Sequence, residues 1–173
     1  MSKLKGFDSL MRKMDSIETV VTDATKAEVN KLTRIIQRDA KLNAPSRTGG
    51  LRNSIHVETY EKGKSIIGRV FTNHHAARFV EFGTGPVGRD SPKILPDGIS
   101  ILYRNTPWVV PASKFPNYKD YNYPTYEKNG EVYIIVRGQP AKQFMTEAVL
   151  KNKKRIKQIT KAISKFLISE VKK

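Results

Sequence analysis

The sequence contains no cysteine, and this absence excludes a disulfide framework and any metal site built from thiolates. No apolar run reaches the length that spans a bilayer, so we expect no membrane segment and no membrane partner. The stretch Met1–Asp8 lacks the apolar core of a signal peptide, and we therefore expect no export. A chain of 173 residues can bury a hydrophobic core, and we expect one domain spanning residues 1–173.

Acidic residues are scarce relative to basic ones. The chain has 16 Asp and Glu against 32 Lys and Arg, which gives a formal net charge of +16. Half of the excess lies between Lys142 and Lys173, where ten basic residues accompany only Glu147 and Glu170. Such an excess favours contact with a polyanion or an acidic protein surface, and it carries no information about the fold.

Apolar residues recur at steps of three and four between Phe7 and Asn43, which predicts a long N-terminal helix. Pro45 ends this helix, because proline disfavours helical backbone at the residue before it. The stretch is long enough for two helices, with a break near Ser16 or at Thr22–Asp23. The apolar stripe faces either the core or a coiled-coil partner, and we favour the core.

Three stretches have the pattern of strands. Ser54–Tyr60 alternates apolar and polar residues, and Ser65–Thr72 follows after a predicted turn at Glu61–Lys64. The short connection predicts antiparallel pairing. A third strand is expected at Glu131–Arg137.

Between the second and third strands lies a stretch, Pro86–Gly130, that holds seven of the nine prolines and five of the seven tyrosines. Proline removes backbone donors, so this stretch is predicted to be an extended loop or hairpin inserted in the domain, with short strands possible at Ile99–Tyr103 and Trp108–Val110. Its aromatic residues either form a contact surface or fold back on the core. The candidate interface residues are Trp108, Tyr118, Tyr121, Tyr123 and Tyr126.

A last helix is predicted from about Ala141 to Val171, since Pro140 is tolerated at a helix start. One face of this helix is apolar and the opposite face is rich in lysine. The lysine face is either a solvated surface or a set of phosphate contacts that do not depend on sequence, and we weigh the two equally. The candidate polyanion contacts are Lys153, Lys154, Lys157, Lys161 and Lys165.

The chain has three histidines, His56, His74 and His75, and the adjacent pair His74–His75 is the candidate for metal binding, with Glu81 or Asp90 nearby in sequence. Adjacent histidines on a strand point to opposite faces, and the spacing does not match the helical pair that binds zinc. We therefore expect turn or surface histidines, no metal site and no cofactor.

Glu81 is the candidate for acid–base chemistry. It lies in the stretch Phe79–Gly85, which is typical of a short strand or helix end followed by a sharp turn. Apolar neighbours would raise the pKa of such a carboxyl, as a general acid requires. No second acid–base partner accompanies it, so we favour a structural role in which it pairs with Arg52 or Arg78 or caps a backbone turn. We expect no enzyme, because nucleophile-elbow and nucleotide-binding motifs are also lacking.

Three short motifs occur in order: Ala44–Ile55, Phe79–Gly85 and Gly138–Ala148. With a long helix before them and another after, the set resembles the head–tail joining or neck proteins of long-tailed bacteriophages. Members of that family are also described as minor tail or tail-completion proteins. The motif residues that carry the resemblance are Pro45, Thr48, Gly49, Leu51, Arg52, Ser54, Phe79, Val80, Glu81, Phe82, Gly83, Thr84, Gly85, Pro140, Ala141, Phe144 and Ala148.

The resemblance implies an α+β fold in which an antiparallel sheet packs against the long N-terminal helix and a C-terminal helix. It implies a homo-oligomeric ring, six-fold or twelve-fold, between head-side connector or head-completion proteins and the tail-terminator or tail-tube proteins. DNA would pass through the lumen, and the protein would reside in the virion after assembly in the host cytoplasm. No enzymatic activity and no cofactor are implied.

The resemblance also implies structural roles for the motifs. The turn Thr48–Gly50 would lead into the first strand, and Phe79, Val80 and Phe82 would pack the sheet against a helix. Pro140 and Ala141 would start the last helix, with Phe144 and Ala148 facing inward. The long stretch Pro86–Gly130 departs from the compact pattern of the family, and the resemblance assigns it no role.

Two other functions compete with this interpretation. The lysine-rich C-terminal helix suits a nucleic-acid-binding module that does not depend on sequence. A small hydrolase or ribonuclease built around Glu81 and the histidines is the second alternative. If the chain forms a ring around DNA, a cationic lining of the channel would hinder the sliding of the DNA. We therefore expect the C-terminal lysines on the outer surface or against acidic neighbours.

Overall fold

The computed structural model describes residues 6–45 and 48–171, and its fold class is α+β. The chain divides into two compact units. The first comprises Met1–Asn73 with Glu147–Lys173, and the second comprises His74–Thr146. That the whole chain acts as a single domain stays a prediction.

The first unit is built on α1 (Phe7–Asn43), a helix of 37 residues. It is continuous, so the breaks considered at Ser16 and at Thr22–Asp23 do not occur. The sequence of this helix contains neither glycine nor proline, the residues that most readily interrupt a helix. It ends where predicted, because Ala44 precedes proline and adopts extended backbone with ψ of 134°.

A short helix and a hairpin follow. Helix α2 (Gly50–Asn53) leads into β1 (Ile55–Lys62) and β2 (Ser65–Thr72), which pair antiparallel as predicted, from Ile55 opposite Thr72 to Lys62 opposite Ser65. The connecting turn is shorter than predicted, since Glu61 and Lys62 belong to the first strand.

The hairpin packs against α1, and its closest approach is at Gly68. A Cβ atom at this position would overlap the side chains of Thr33 and Val29 of the helix. Near the other end, Gln37 Nε2 donates to the Ile55 carbonyl at 2.8 Å, and Ile55 is fully buried. Glycine on the strand therefore brings the sheet and the helix into contact without a side chain between them.

The C-terminal part forms two helices, α5 (Phe144–Lys151) and α6 (Lys153–Val171), so the single helix predicted from Ala141 is wrong in its start and in its continuity. The break falls at Asn152, whose side chain is 5% exposed. Its Nδ2 donates to Ala148 O at 2.9 Å and to Asp39 Oδ2 at 2.8 Å. An asparagine that bonds the helix backbone and a partner on another helix competes with regular helical hydrogen bonding.

The second unit contains α3 (Ala77–Phe82), α4 (Gly85–Asp90) and a sheet of three short strands. Strands β3 (Trp108–Pro111), β4 (Thr125–Lys128) and β5 (Glu131–Val136) are antiparallel in the order β3–β5–β4.

The region from Pro86 to Gly130 was predicted to be a loop or hairpin insertion, and the structure does not bear out that description. It contains α4, β3, β4 and two short 3-10 helices, Ala112–Lys114 and Tyr118–Tyr121. The strand expected at Ile99–Tyr103 is irregular chain. Strand β5 pairs with the strands of this region, so residues 6–45 and 48–171 contain two sheets where one was expected.

Candidate functional site

The second and third motifs lie against each other in the second unit. Thr84 N donates to Gln139 O at 2.9 Å, and Gln139 N donates to Thr84 O at 3.2 Å, which forms an isolated antiparallel bridge. Four residues before Thr84, the carbonyl of Val80 accepts a hydrogen bond from Lys142 N at 2.8 Å. Two motifs that are more than fifty residues apart in sequence therefore form one structural site.

Glycine makes this close pairing possible. Gly83 has φ of +78° and Gly138 has φ of +94°, a region that side chains with a Cβ disfavour. A Cβ at Gly83 would lie 2.7 Å from Gln139 O, and a Cβ at Gly138 would overlap the carbonyl of Thr84. Both motifs therefore need glycine where their backbones meet.

Glu81 lies at the centre of the site and is 7% exposed. Its Oε2 accepts a hydrogen bond from Met145 N at 2.9 Å, and its Oε1 accepts from Thr146 N at 2.9 Å and Thr146 Oγ1 at 2.6 Å. These are among the first residues of α5, so the carboxylate caps the N-terminus of a helix that begins 63 residues later in the chain. A negative charge is favourable there because the free N–H groups and the helix dipole point towards it.

The expectation that Glu81 pairs with Arg52 or Arg78 is wrong, while the expectation of a capping role is close to what the structure contains. The last part of the chain becomes helical at Phe144 and not at Ala141, because the residues before Phe144 have other hydrogen-bond partners. Residues before Phe144 bond to the second motif and to Ser91 Oγ, which accepts from Ala141 N at 3.0 Å. Ala141 is therefore held outside the helix that it was expected to start.

The expected role of Phe79, Val80 and Phe82 in packing a sheet against a helix does not fit the exposed Phe79, and it stays a prediction for Val80 and Phe82. All three belong to α3, and Phe79 is 41% exposed, with the Arg78 guanidinium carbon 4.7 Å from its ring centre. Val80 and Phe82 are half-buried, and the Phe82 carbonyl accepts from Tyr103 Oη at 2.8 Å. Burial raises the pKa of the Tyr103 hydroxyl. In contrast, Phe144 and Ala148 of the third motif are fully buried.

A cleft of about 610 Å³ opens beside the second motif, within the second unit. We call it the arginine–aromatic cleft, after the two arginines and four aromatic residues among its lining: Arg78, Phe79, Phe82, Tyr103, Arg104 and Trp108. The segments Gly83–Gly85 and Ser100–Leu102 complete the lining, and the two arginines are accessible to solvent. The sequence-based reasoning missed this cleft, although the adjacent pair Arg78–Phe79 and the single tryptophan are signals that could have indicated it.

The candidate interface aromatics have different local partners. Tyr121 and Tyr123 stack with ring centres 5.8 Å apart and both contact Phe115, whereas Trp108 lines the arginine–aromatic cleft and Tyr126 stacks on Tyr133. An interface role stays a prediction for Trp108, Tyr118, Tyr121, Tyr123 and Tyr126.

The first motif lies in the first unit and connects α1 to the hairpin. Gly49, with φ of +73°, precedes α2, so the predicted turn leads into a helical turn before the strand begins. Leu51 is buried, Arg52 Nη2 donates to Ala44 O at 3.1 Å, and Ser54 Oγ lies 2.7 Å from Thr72 Oγ1. Pro45 and Thr48 are exposed, and Ser46 and Arg47 of this motif lie outside the described residues.

The five candidate lysines lie on α6, and all of them are exposed. Three isoleucines of the same helix, Ile156, Ile159 and Ile163, are half-buried. At 100° per residue Lys154, Lys161 and Lys165 lie on the side of the helix opposite these isoleucines, and Lys153 and Lys157 lie on its flank. A role for the lysines in binding a polyanion stays a prediction.

His74 and His75 lie in a turn and not on a strand, and their rings stack with centres 4.6 Å apart. Across residues 6–45 and 48–171, no three His, Cys, Asp or Glu side chains are grouped so that they could hold a metal ion. Within the same residues, no helix combines the length and the hydropathy needed to cross a bilayer.

Comparison with known proteins gives one family match. The sequence model of the family described as "Bacteriophage HK97-gp10, putative tail-component" matches residues 8–83, which is less than half of the chain. The matched region contains the long helix, the whole first motif and the second motif as far as Gly83. Neither the curated proteins nor the solved structures gave a match.

Proposed function

We propose that this chain, whose residues 8–83 match the HK97 gp10-like family of tail components, is a structural subunit of the neck of a long-tailed bacteriophage. The match supports the resemblance to phage head–tail joining proteins that the three motifs carry. A tail component acts in the virion and contacts other phage structural proteins. The chain is made and assembled in the host cytoplasm.

In the proposed assembly, identical subunits form a ring between the head-side connector proteins and the tail, and DNA passes through its centre. Head-to-tail contacts between identical subunits produce a closed ring when the rotation between neighbours closes. Closure with six or twelve copies is what the resemblance to neck proteins implies. The ring itself and its stoichiometry are part of the proposal.

The use of Glu81 supports a structural role over a hydrolytic one. Both of its carboxylate oxygens accept hydrogen bonds from the first turn of α5, and the side chain is buried. A general acid or base must reach a substrate proton, directly or through one water. This carboxylate instead stabilises the joint between two of the three motifs.

Phage that lack this protein test the proposal. We expect filled heads and finished tails that fail to join, because a neck subunit is needed only where the two meet. Negative-stain electron microscopy of a lysate from an amber mutant would count joined and unjoined particles. Wild-type protein supplied from a plasmid is the control and should restore joining, whereas normal particles without the protein would rule the proposal out.

The exposed lysines of α6 favour one alternative, a protein that binds nucleic acid without regard to sequence. In that case affinity for duplex DNA should fall steeply with salt. Replacing Lys153, Lys157 and Lys161 with glutamate should then reduce the salt slope by about three, because each lysine that contacts a phosphate contributes about one. Filter binding at several salt concentrations measures this slope.

A matched control for the lysine variant is charge reversal at Lys62 and Lys64, which are exposed at the tip of the hairpin. If the neck proposal is correct, the α6 variant and the hairpin variant should bind DNA equally weakly. A loss of binding confined to the α6 variant would instead favour the alternative.

A further inference from the structure

Most of the first 14 residues of α1, Phe7–Val20, extend beyond the elements that cover the rest of this helix, and the tip of the hairpin approaches them only at a recess beside Asp15 and Glu18. Near its tip, the β1–β2 hairpin contacts α1 through an ion pair between Lys26 Nζ of the helix and Glu61 Oε1 of the hairpin, at 2.9 Å. Helix α6 begins beside Asp39 and has 19 residues, so it is about 28 Å long. From Asp39 back to Phe7 the distance along α1 is about 48 Å, and α6 cannot reach the last 20 Å or so.

This overhang, Phe7–Val20, presents apolar side chains to solvent. Phe7, Leu10 and Met14 follow one another at steps of three and four and are 54–56% exposed. A helix of this length is marginal in water when nothing packs against it. Clustered apolar side chains on a surface mark a contact site.

The overhang contains Asp8, Asp15 and Glu18 against Arg12 and Lys13, which gives it a net charge of −1 in a chain whose net charge is +16. Asp15, Glu18 and Asp23 lie around one shallow recess of the surface, together with Glu61 of the hairpin. A surface that fits the overhang should therefore be apolar in its centre and cationic at its edge.

The arginine–aromatic cleft has both properties. Phe79, Phe82 and Trp108 supply apolar walls, and Arg78 and Arg104 supply solvent-accessible cations. Its volume of about 610 Å³ lies in the range of clefts that hold a ligand. Leu102, also on its lining, is completely exposed, so the cleft has apolar surface that a partner would cover.

We propose that the overhang of one copy docks in the arginine–aromatic cleft of the next copy. An amphipathic helix laid in an apolar groove is a common mode of recognition, and the acidic flank of the helix would face the arginines. The contact joins different surfaces of two identical chains, so it is head-to-tail and leads to a ring or a filament. This inference rests on the proposed function and identifies the contact between its subunits.

Two variants test the contact at solvent-accessible positions, where the fold is not at risk. Leu10→Asp with Met14→Asp removes the apolar stripe, and Arg78→Glu with Arg104→Glu reverses the charge of the cleft. Each should weaken self-association about a hundredfold, as removal of a central apolar anchor does in other interfaces. Sedimentation velocity over a concentration series measures the dissociation constant.

Mixing the two variants gives a sharper test. The overhang variant keeps an intact cleft, and the cleft variant keeps an intact overhang. An equimolar mixture should therefore form a one-to-one dimer and nothing larger, because the two remaining surfaces are both defective. A contact between like surfaces could not produce this result.

Matched controls carry the same chemical changes elsewhere. Leu42→Asp with Val149→Asp places two aspartates at exposed apolar positions that lie outside both the overhang and the arginine–aromatic cleft. Lys114→Glu with Lys128→Glu reverses two exposed charges of the second unit. Both controls should associate like the wild type.

The outcomes separate this inference from the proposed function. A wild-type chain that stays monomeric at every concentration, or that associates equally well in all variants, overturns the docking contact. Neither result bears on head–tail joining, which the phage experiment measures independently. Loss of association in both variants and recovery of a dimer on mixing support the contact.

Discussion

Replacement of Glu81 with alanine is expected to lower the free energy of unfolding by about 3 kcal/mol. The change leaves the N–H groups of Met145 and Thr146 and the Thr146 hydroxyl without their acceptor. Each buried donor that loses its partner costs about 1–3 kcal/mol, and the loss of a charge at the helix N-terminus adds a few tenths or more.

Glu81→Gln should cost less, about 1–2 kcal/mol, because the amide oxygen still accepts while the charge is lost. Urea denaturation followed by circular dichroism measures both changes as shifts in the midpoint. Glu147→Ala is the matched control, since Glu147 is exposed on the same helix and its removal should change stability by less than about 0.5 kcal/mol.

The same variants separate the structural role from a catalytic one. A capping carboxylate predicts that assembly and stability fall together, and that glutamine partly restores both. If Glu81→Ala were as stable as the wild type, the capping role would be wrong and the buried carboxylate would need another explanation.

Replacement of Asp39 with alanine is expected to produce a loss of similar size, about 2–4 kcal/mol. The Asp39 carboxylate is 2% exposed and accepts from Asn152 Nδ2 at 2.8 Å. Arg38 and Lys151 lie within 4 Å, but both are about two-thirds exposed, so each contributes less than about 1 kcal/mol. The buried bond to Asn152 therefore dominates.

The effect of Asp39 should depend on pH. The hydrogen bond from Asn152 lowers the pKa of this carboxyl, with smaller help from Lys151 and Arg38 and against the effect of burial. A lowered pKa in the folded state means that the stabilisation is complete above the unfolded value, about pH 4, and is lost as pH falls through the folded pKa. Asp39→Asn should therefore lose stability near neutral pH and show a flatter decline below about pH 4.

Urea denaturation at a series of pH values measures this difference. Asp97→Asn, at an exposed position, is the control and should keep the acid dependence of the wild type. A double-mutant cycle with Asn152→Ala should give a coupling energy of about 1–3 kcal/mol between the two side chains. If the free energy of unfolding fell equally steeply below about pH 4 in the wild type and in Asp39→Asn, Asp39 would not be the source of this pH dependence.

The elements that the sequence predicted well are those whose signal is local. Helix α1 runs from Phe7 to Asn43 as expected, because its apolar period and the following Pro45 act within a few residues. The hairpin of β1 and β2 is also as expected, since two alternating stretches joined by a short turn pair with each other.

The errors involve residues whose partners are distant in sequence. Strand β5 agrees with the predicted strand, and the short strand considered at Trp108–Val110 is β3, but no pattern in the sequence indicated β4 or the pairing of β5 with both. The break at Asn152 depends on Asp39, which lies 113 residues earlier. Phenylalanine is usually a core residue, yet Phe79 is exposed, whereas the charged Glu81 two residues later is buried.

By itself, the sequence determined the fold class, the long helix, the hairpin and the resemblance to phage neck proteins, because each depends on short patterns of residues. Only the tertiary structure decided which side chain caps α5, where the last helix breaks, and that Arg78, Arg104 and the aromatic residues between them line one cleft. The physical reason is that hydrogen bonding and burial depend on neighbours in space. The one-dimensional pattern contains the donors and acceptors and leaves their pairing open.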